Sequence, residues 1–166
     1  MAAGATYEPI ATATGTGSSG TITFSSISGS YTDLVLVGNG KINSGTSNLQ
    51  VQFNGDTSSL YSTTILYGDG TDDISARNSG TTTYVCFAGY WNATDIATTI
   101  INLQNYSNTT TYKTLITRNN AASYGTEAIV GLWRSTAAIT SLTLQASGGN
   151  NFTTASTFTL YGIAAA

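Results

Sequence analysis

The 166-residue sequence contains no histidine, one cysteine, one proline and one methionine, and only 8% of its residues are charged. Without histidine there is no Ser-His-Asp or Cys-His relay and no ordinary zinc site. A single cysteine, Cys86, forms no disulfide framework; inside Thr-Tyr-Val-Cys-Phe-Ala it reads as a small buried thiol. The five basic residues, Lys41, Arg77, Lys113, Arg118 and Arg134, are scattered and the net charge is -3, so no basic run neutralises a phosphate backbone and nucleic-acid binding is not expected. No apolar run approaches the length of a membrane-crossing helix, and no membrane partner is expected. Met1 to Pro9 lacks the basic and apolar regions of a secretory signal, which implies synthesis in a cytoplasm. There is no self-similar period of a solenoid or propeller and no heptad repeat for a coiled-coil stalk.

What is present is threonine and serine, together about 30% of the chain. Threonine suits a pleated, half-exposed surface, so the composition favours strands joined by turns, with hydroxyls and amides supplying solubility. Leu34, Val35, Leu36 and Val37 are the only four consecutive branched aliphatics. That run predicts a central strand, Tyr31 to about Ile42, covered on both faces, with Thr21 to Ile27 and Leu49 to Asn54 as its sheet neighbours. Further strands are expected at residues 6 to 14, with Pro9 marking an edge, and at Leu60 to Tyr67, Thr82 to Ala88, Ile96 to Gln104, Thr111 to Arg118, Glu127 to Arg134, Ile139 to Ala146 and Ser156 to Ile163. Ile96 to Gln104 and Thr111 to Arg118 read as a hairpin, and Glu127 to Arg134 and Ile139 to Ala146 as a second pair. Thr71 to Gly80 reads as an exposed loop and Gly89 to Asn92 as a corner. About ten short strands at regular spacing predict a single all-β domain over residues 1–166, an antiparallel, jelly-roll-like β-sandwich. Alternation and central position place Leu34, Leu36, Val51, Phe53, Trp133, Leu142, Leu144, Phe158 and Leu160 in its core.

Several words in this sequence form an ordered set: Thr23 to Leu34, Phe53-Asn54-Gly55-Asp56, Leu66-Tyr67-Gly68-Asp69-Gly70, Gly131-Leu132-Trp133 followed by Ala137 to Ser141, and Ser156 to Ile163. Together they resemble the β-rich virion proteins of tailed bacteriophages, above all those of aquatic phages. The resemblance implies a particle-surface structural protein, either a capsid decoration (cement) protein on the outside of the head or a receptor- or glycan-binding module of a tail or head fibre. For the first, the partners implied are the major capsid protein and other copies of the chain, commonly as a homotrimer. For the second, the partner is a cell-surface glycan. The resemblance supplies no catalytic residue and no cofactor. The small, uncharged segment Met1 to Thr6 is expected to be flexible and to lie against the shell or a neighbouring subunit.

The eight carboxylates are sparse and fall mostly in turns, and Lys41 and Lys113 are the only lysines that could form a Ser-Lys pair. Asp69, Asp72 and Asp73 lie in a Gly-containing loop, a weak cation candidate that is equally the composition of a tight turn. Tyr90, Trp91, Tyr106, Tyr112 and Trp133 could stack on sugar rings, although Trp133 shares a strand face with Ile129 and Gly131 and reads as core. Tyr90 and Trp91 at the presumed corner, and Val130 and Leu132 on the face opposite Ile129 and Trp133, are the candidate interface residues.

Overall fold

A computed structural model describes residues 6–79 and 86–164, without the side chain of Cys86. The expectations for residues 1–5, for the first part of the Thr82 to Ala88 strand and for the Cys86 thiol lie outside the described residues. Over the described residues the fold is an all-β sandwich of twelve strands in two antiparallel sheets, with one short 3-10 turn at Ser147–Gly149. The strands are β1 Tyr7–Thr14, β2 Thr21–Phe24, β3 Asp33–Gly40, β4 Thr46–Phe53, β5 Tyr61–Gly68, β6 Asp73–Ser79, β7 Cys86–Asn92, β8 Ala97–Gln104, β9 Lys113–Ala121, β10 Gly125–Trp133, β11 Leu142–Ala146 and β12 Thr157–Ile163. The larger sheet has the order β1-β12-β3-β8-β9-β10-β5-β6 and the smaller β2-β11-β4-β7.

Alternation explains most of these strands. In β9 every second residue from Lys113 to Ala121 is buried and the intervening ones are exposed, the signature of a strand with one covered face. All nine core residues expected from the sequence are buried. Two aromatic clusters anchor the core. In one, Phe158 stacks on Trp91 with ring centroids 5.3 Å apart and meets Phe152 at 4.8 Å. In the other, Trp133 lies 5.6 Å from Phe53 and 6.3 Å from Tyr61.

Five expectations are corrected. Thr21 to Ile27 and Leu49 to Asn54 are not sheet neighbours of β3: β2 and β4 belong to the opposite sheet, and β3 pairs with β12 and β8. Leu34 and Leu36 point into the sandwich, while on the other face Val35 is buried and Val37 only half-buried. That outer face therefore carries no complete second layer among the described residues. β10 and β11 are likewise split between sheets, β10 pairing with β9 and β5 and β11 with β2 and β4.

The stretch read as the loop Thr71 to Gly80 contains a strand. Asp69 accepts hydrogen bonds from the backbone N–H of Thr71 and Asp72 at 2.8 and 2.7 Å, closing a tight turn that returns β6 along β5 from Gly68↔Asp73 to Ser62↔Ser79. The Gly89 to Asn92 corner is also strand, the end of β7. Its Gly89 takes a φ of +132° at a bulge opposite Leu49 and Gln50, so the chain continues where a turn was expected.

Candidate functional site

A surface with exposed aliphatic side chains lies on the outer face of β9, β10, β5 and β6. Because Ile129 and Trp133 point into the core, the register of β10 turns Ala128, Val130 and Leu132 outward. Val130, 50% exposed, stands directly opposite Ile116 of β9, 45% exposed, and Ala128 stands opposite Leu66 of β5, 57% exposed. Leu132 is half-buried on the same face. An open groove of about 780 Å³ runs over this half of the sheet and is lined by Leu66, Asp73, Ser75, Arg118, Asn120 and Thr126, among others. Leu66, Ile74 and Ala128 supply its aliphatic lining, and its charged lining residues are Arg118, Asp73 and the largely buried Glu127.

Of the four interface candidates, Val130 and Leu132 thus lie on one surface and Trp91 does not. Trp91 is fully buried, because the bulge at Gly89 shifts the phase of β7, so that Ala88 before it and Trp91 after it both face the core. Tyr90, on the opposite phase, is half-buried and stacks on Tyr124 at 3.5 Å, which in turn stacks on Tyr67 at 4.8 Å. Among the other proposed sugar-stacking residues, Tyr106 and Trp133 are buried and Tyr112 is exposed. The Tyr106 hydroxyl donates to the Ser28 carbonyl. These rings do not assemble into one exposed platform.

A buried polar chain ties β7 to the larger sheet. The Trp91 indole N–H donates to Thr99 Oγ1 at 2.8 Å, and Thr99 donates to Asn119 Oδ1 at 2.5 Å. The Asn119 amide donates to the Tyr90 carbonyl at 3.1 Å and to Glu127 Oε2 at 2.7 Å; that oxygen also accepts the Tyr90 backbone N–H at 2.7 Å. No sequence pattern marked Asn119 or Glu127, since each is one polar residue within a regular alternation.

Burial pushes the Glu127 carboxyl above its ordinary pKa of 4.5, and the bonds from Tyr90 and Asn119 only partly offset this. A carboxyl raised in the folded state contributes stability that is fully present below its unfolded pKa and is lost as pH rises through the folded value. Glu127→Gln keeps an oxygen to accept both hydrogen bonds and removes the charge. It is expected to be at least as stable as the wild type at pH 7, with this advantage shrinking as pH falls toward 4. Glu127→Ala instead orphans two buried donors and should cost about 1–3 kcal/mol for each. Urea unfolding at both pH values measures this; a glutamine variant less stable at pH 7 than at pH 4, relative to wild type, would contradict it.

The acidic loop is occupied by its own turn. Asp69 Oδ1 accepts the two backbone N–H groups already described and Oδ2 accepts the Tyr67 hydroxyl at 2.8 Å, which together hold its carboxyl below the ordinary value. Asp72 and Asp73 do not join it: no group of three His, Cys, Asp or Glu side chains among the described residues could hold a metal ion. Lys113 is buried beside Trp133, and its ammonium donates to the carbonyls of Thr111 and Thr136 at 2.8 and 3.2 Å, with burial drawing its pKa down. Ser156 bonds the backbone of Lys41 and not its amine.

The words that carry the phage resemblance have structural duties. Asn54 donates to the Ala138 carbonyl at 2.8 Å and accepts the backbone N–H of Thr140 and Ser141 at 2.8 and 3.1 Å. Asp56 accepts the Trp133 indole N–H at 2.6 Å and both the N–H and the hydroxyl of Ser58; although burial raises its pKa, these bonds outweigh that and hold it low. Phe53 to Asp56 is thereby clamped to Trp133 and Ala138 to Ser141. Gly162 similarly leaves the space that the Tyr31 ring occupies.

No protein-family model matches the chain, and no curated protein matches it. Among solved structures the chain is similar to the marine PL-14 alginate lyase from Aplysia kurodai, with 10% identity over 77% of this chain and 72% of that one and a TM-score of 0.29. At that score the likeness carries no argument about fold or chemistry.

Proposed function

We propose that this chain is a non-catalytic structural protein of a bacteriophage particle, a decoration protein that binds the outside of the head and reinforces it after synthesis in the host cytoplasm. The observation that carries the reading is the outer face of β9, β10 and β5, where Val130, Ile116 and Leu66 present aliphatic side chains to solvent at 45–57% exposure. Aliphatic side chains at a docking face lose their water on binding and contribute roughly 25 cal/mol per Å² buried. Support for a non-catalytic role comes from Asp56, Asp69, Glu127 and Lys113, whose polar atoms are engaged in turns, sheet bridges and carbonyl contacts. The resemblance to phage virion proteins supplies the particle.

Cosedimentation with purified heads lacking the protein tests the face. Ile116→Asp and Val130→Asp, each at an exposed position, are expected to weaken head binding at least tenfold while leaving the unfolding midpoint nearly unchanged. Undiminished binding by both variants would remove this face from the account. The groove favours the alternative, a glycan-binding fibre module, because Arg118, Asp73 and Asn120 can hydrogen-bond hydroxyls above an aliphatic floor. Saturable binding of host-surface oligosaccharide, abolished by Arg118→Ala, would favour that reading over decoration.

A further inference from the structure

The two edges of the larger sheet differ in character. β1 contains Pro9, which has no N–H to donate, and a bulge between Pro9 and Ala11; both features blunt an edge against further pairing. Among the described residues β6 ends the sheet on the other side, pairs with β5 in an unbroken register, and has neither proline nor bulge. All seven of its residues are exposed. Ile74 aligns with Tyr67 on the inward-pointing phase and is still 49% exposed, so the smaller sheet does not cover β6. Half of its peptide groups point away from β5, as in any edge strand, and form a template for another strand.

The sequence of β6 selects what that strand is. Asp73 and Arg77 share one face with Ser75 midway between them, and neither makes an ion pair or side-chain hydrogen bond among the described residues. An antiparallel partner with the same sequence, centred on Ser75, sets Asp73 opposite Arg77 of the second copy and Arg77 opposite its Asp73. The same register sets Ile74 opposite Ala76 twice on the other face. Opposite charges and apolar pairs directly across antiparallel strands are stabilising, and one two-fold axis through Ser75 satisfies all four pairs together.

We propose that β6 pairs with β6 of a second copy of this chain, joining two eight-stranded sheets into one across a two-fold axis. Paired residues in an antiparallel ladder share a face, so the outer faces of both copies point the same way. If the decoration reading holds, on which only this consequence rests, the pair presents two docking faces to one shell and binds with the avidity of a bivalent ligand. The arrangement differs from the three-fold one that the phage resemblance implies.

Sedimentation equilibrium of the full chain at micromolar concentration separates these states. The expected mass is about 34 kDa, twice the 17.1 kDa chain. Arg77→Asp sets like charges opposite each other at both ends of the pairing and should give monomer with an unchanged far-UV spectrum; Asp73→Lys should do the same from the other side. The double exchange D73R/R77D restores opposite charges in the reverse order and should restore the dimer. A monomeric wild type, a 51 kDa trimer, or a dimer indifferent to both single substitutions would overturn the proposal. A dimer that fails to bind heads would count against the decoration reading alone.

Discussion

Replacing Phe158 by alanine is expected to lower the free energy of unfolding by roughly 3–5 kcal/mol. The ring is fully buried, stacks on Trp91 and meets Phe152 edge-on. It lies over Gly38 of the adjacent strand, where a Cβ would already stand 3.0 Å from the ring. The loss should sit at the upper end of that range for a geometric reason. Trp91 is held by its bond to Thr99 and Gly38 has no side chain to lean in, so the cavity cannot close. Against a typical total of about 5–15 kcal/mol, the loss removes a large fraction of the stability. A drop below about 1 kcal/mol in urea would mean that the last strand does not present Phe158 inward.

Gly89→Ala is expected to cost about 3 kcal/mol or more, through strain at a backbone position suited to glycine added to overpacking. Its φ of +132° is one that L side chains rarely adopt, and a Cβ there would overlap the Asn119 carboxamide. Displacing Asn119 disturbs the bonds to Thr99, Tyr90 and Glu127 together, so one methyl group loosens the join between β7 and the larger sheet. Thermal melting of the variant, with near-UV circular dichroism to follow Trp91, measures both effects. A melting point within a few degrees of wild type and an unchanged tryptophan signal would show that the bulge tolerates a side chain and that the bridge is not tightly packed.

Period-two alternation made the buried faces of β4, β10, β11 and β12 legible, because Leu49, Val51 and Phe53, or Phe158 and Leu160, can satisfy only one register. It could not say which strands pair. Val51 packs into the sandwich equally well whether β4 lies beside β3 or across from it, and the distinction depends on contacts far apart in sequence. β6 was missed because Asp-Ile-Ser-Ala-Arg-Asn-Ser carries almost no apolar signal; its strand comes from the Asp69 turn and the ladder with β5. Trp91 was misplaced because a glycine beside aromatics looks like a corner until the bulge opposite Leu49 is known. Of the outer face, Val130 and Leu132 were legible as apolar residues on the wrong phase for the core. Ile116 and Leu66 join them only through the β9–β10–β5 register.

The most direct test of the central claim, a non-catalytic protein covering the outside of a phage head, is its copy number in purified particles, measured by quantitative mass spectrometry against the major capsid protein. Repetition of one surface position over a closed symmetric shell predicts on the order of hundreds of copies per particle, released from the head without loss of tails. A dozen copies or fewer, or copies that fractionate with tails, would contradict decoration.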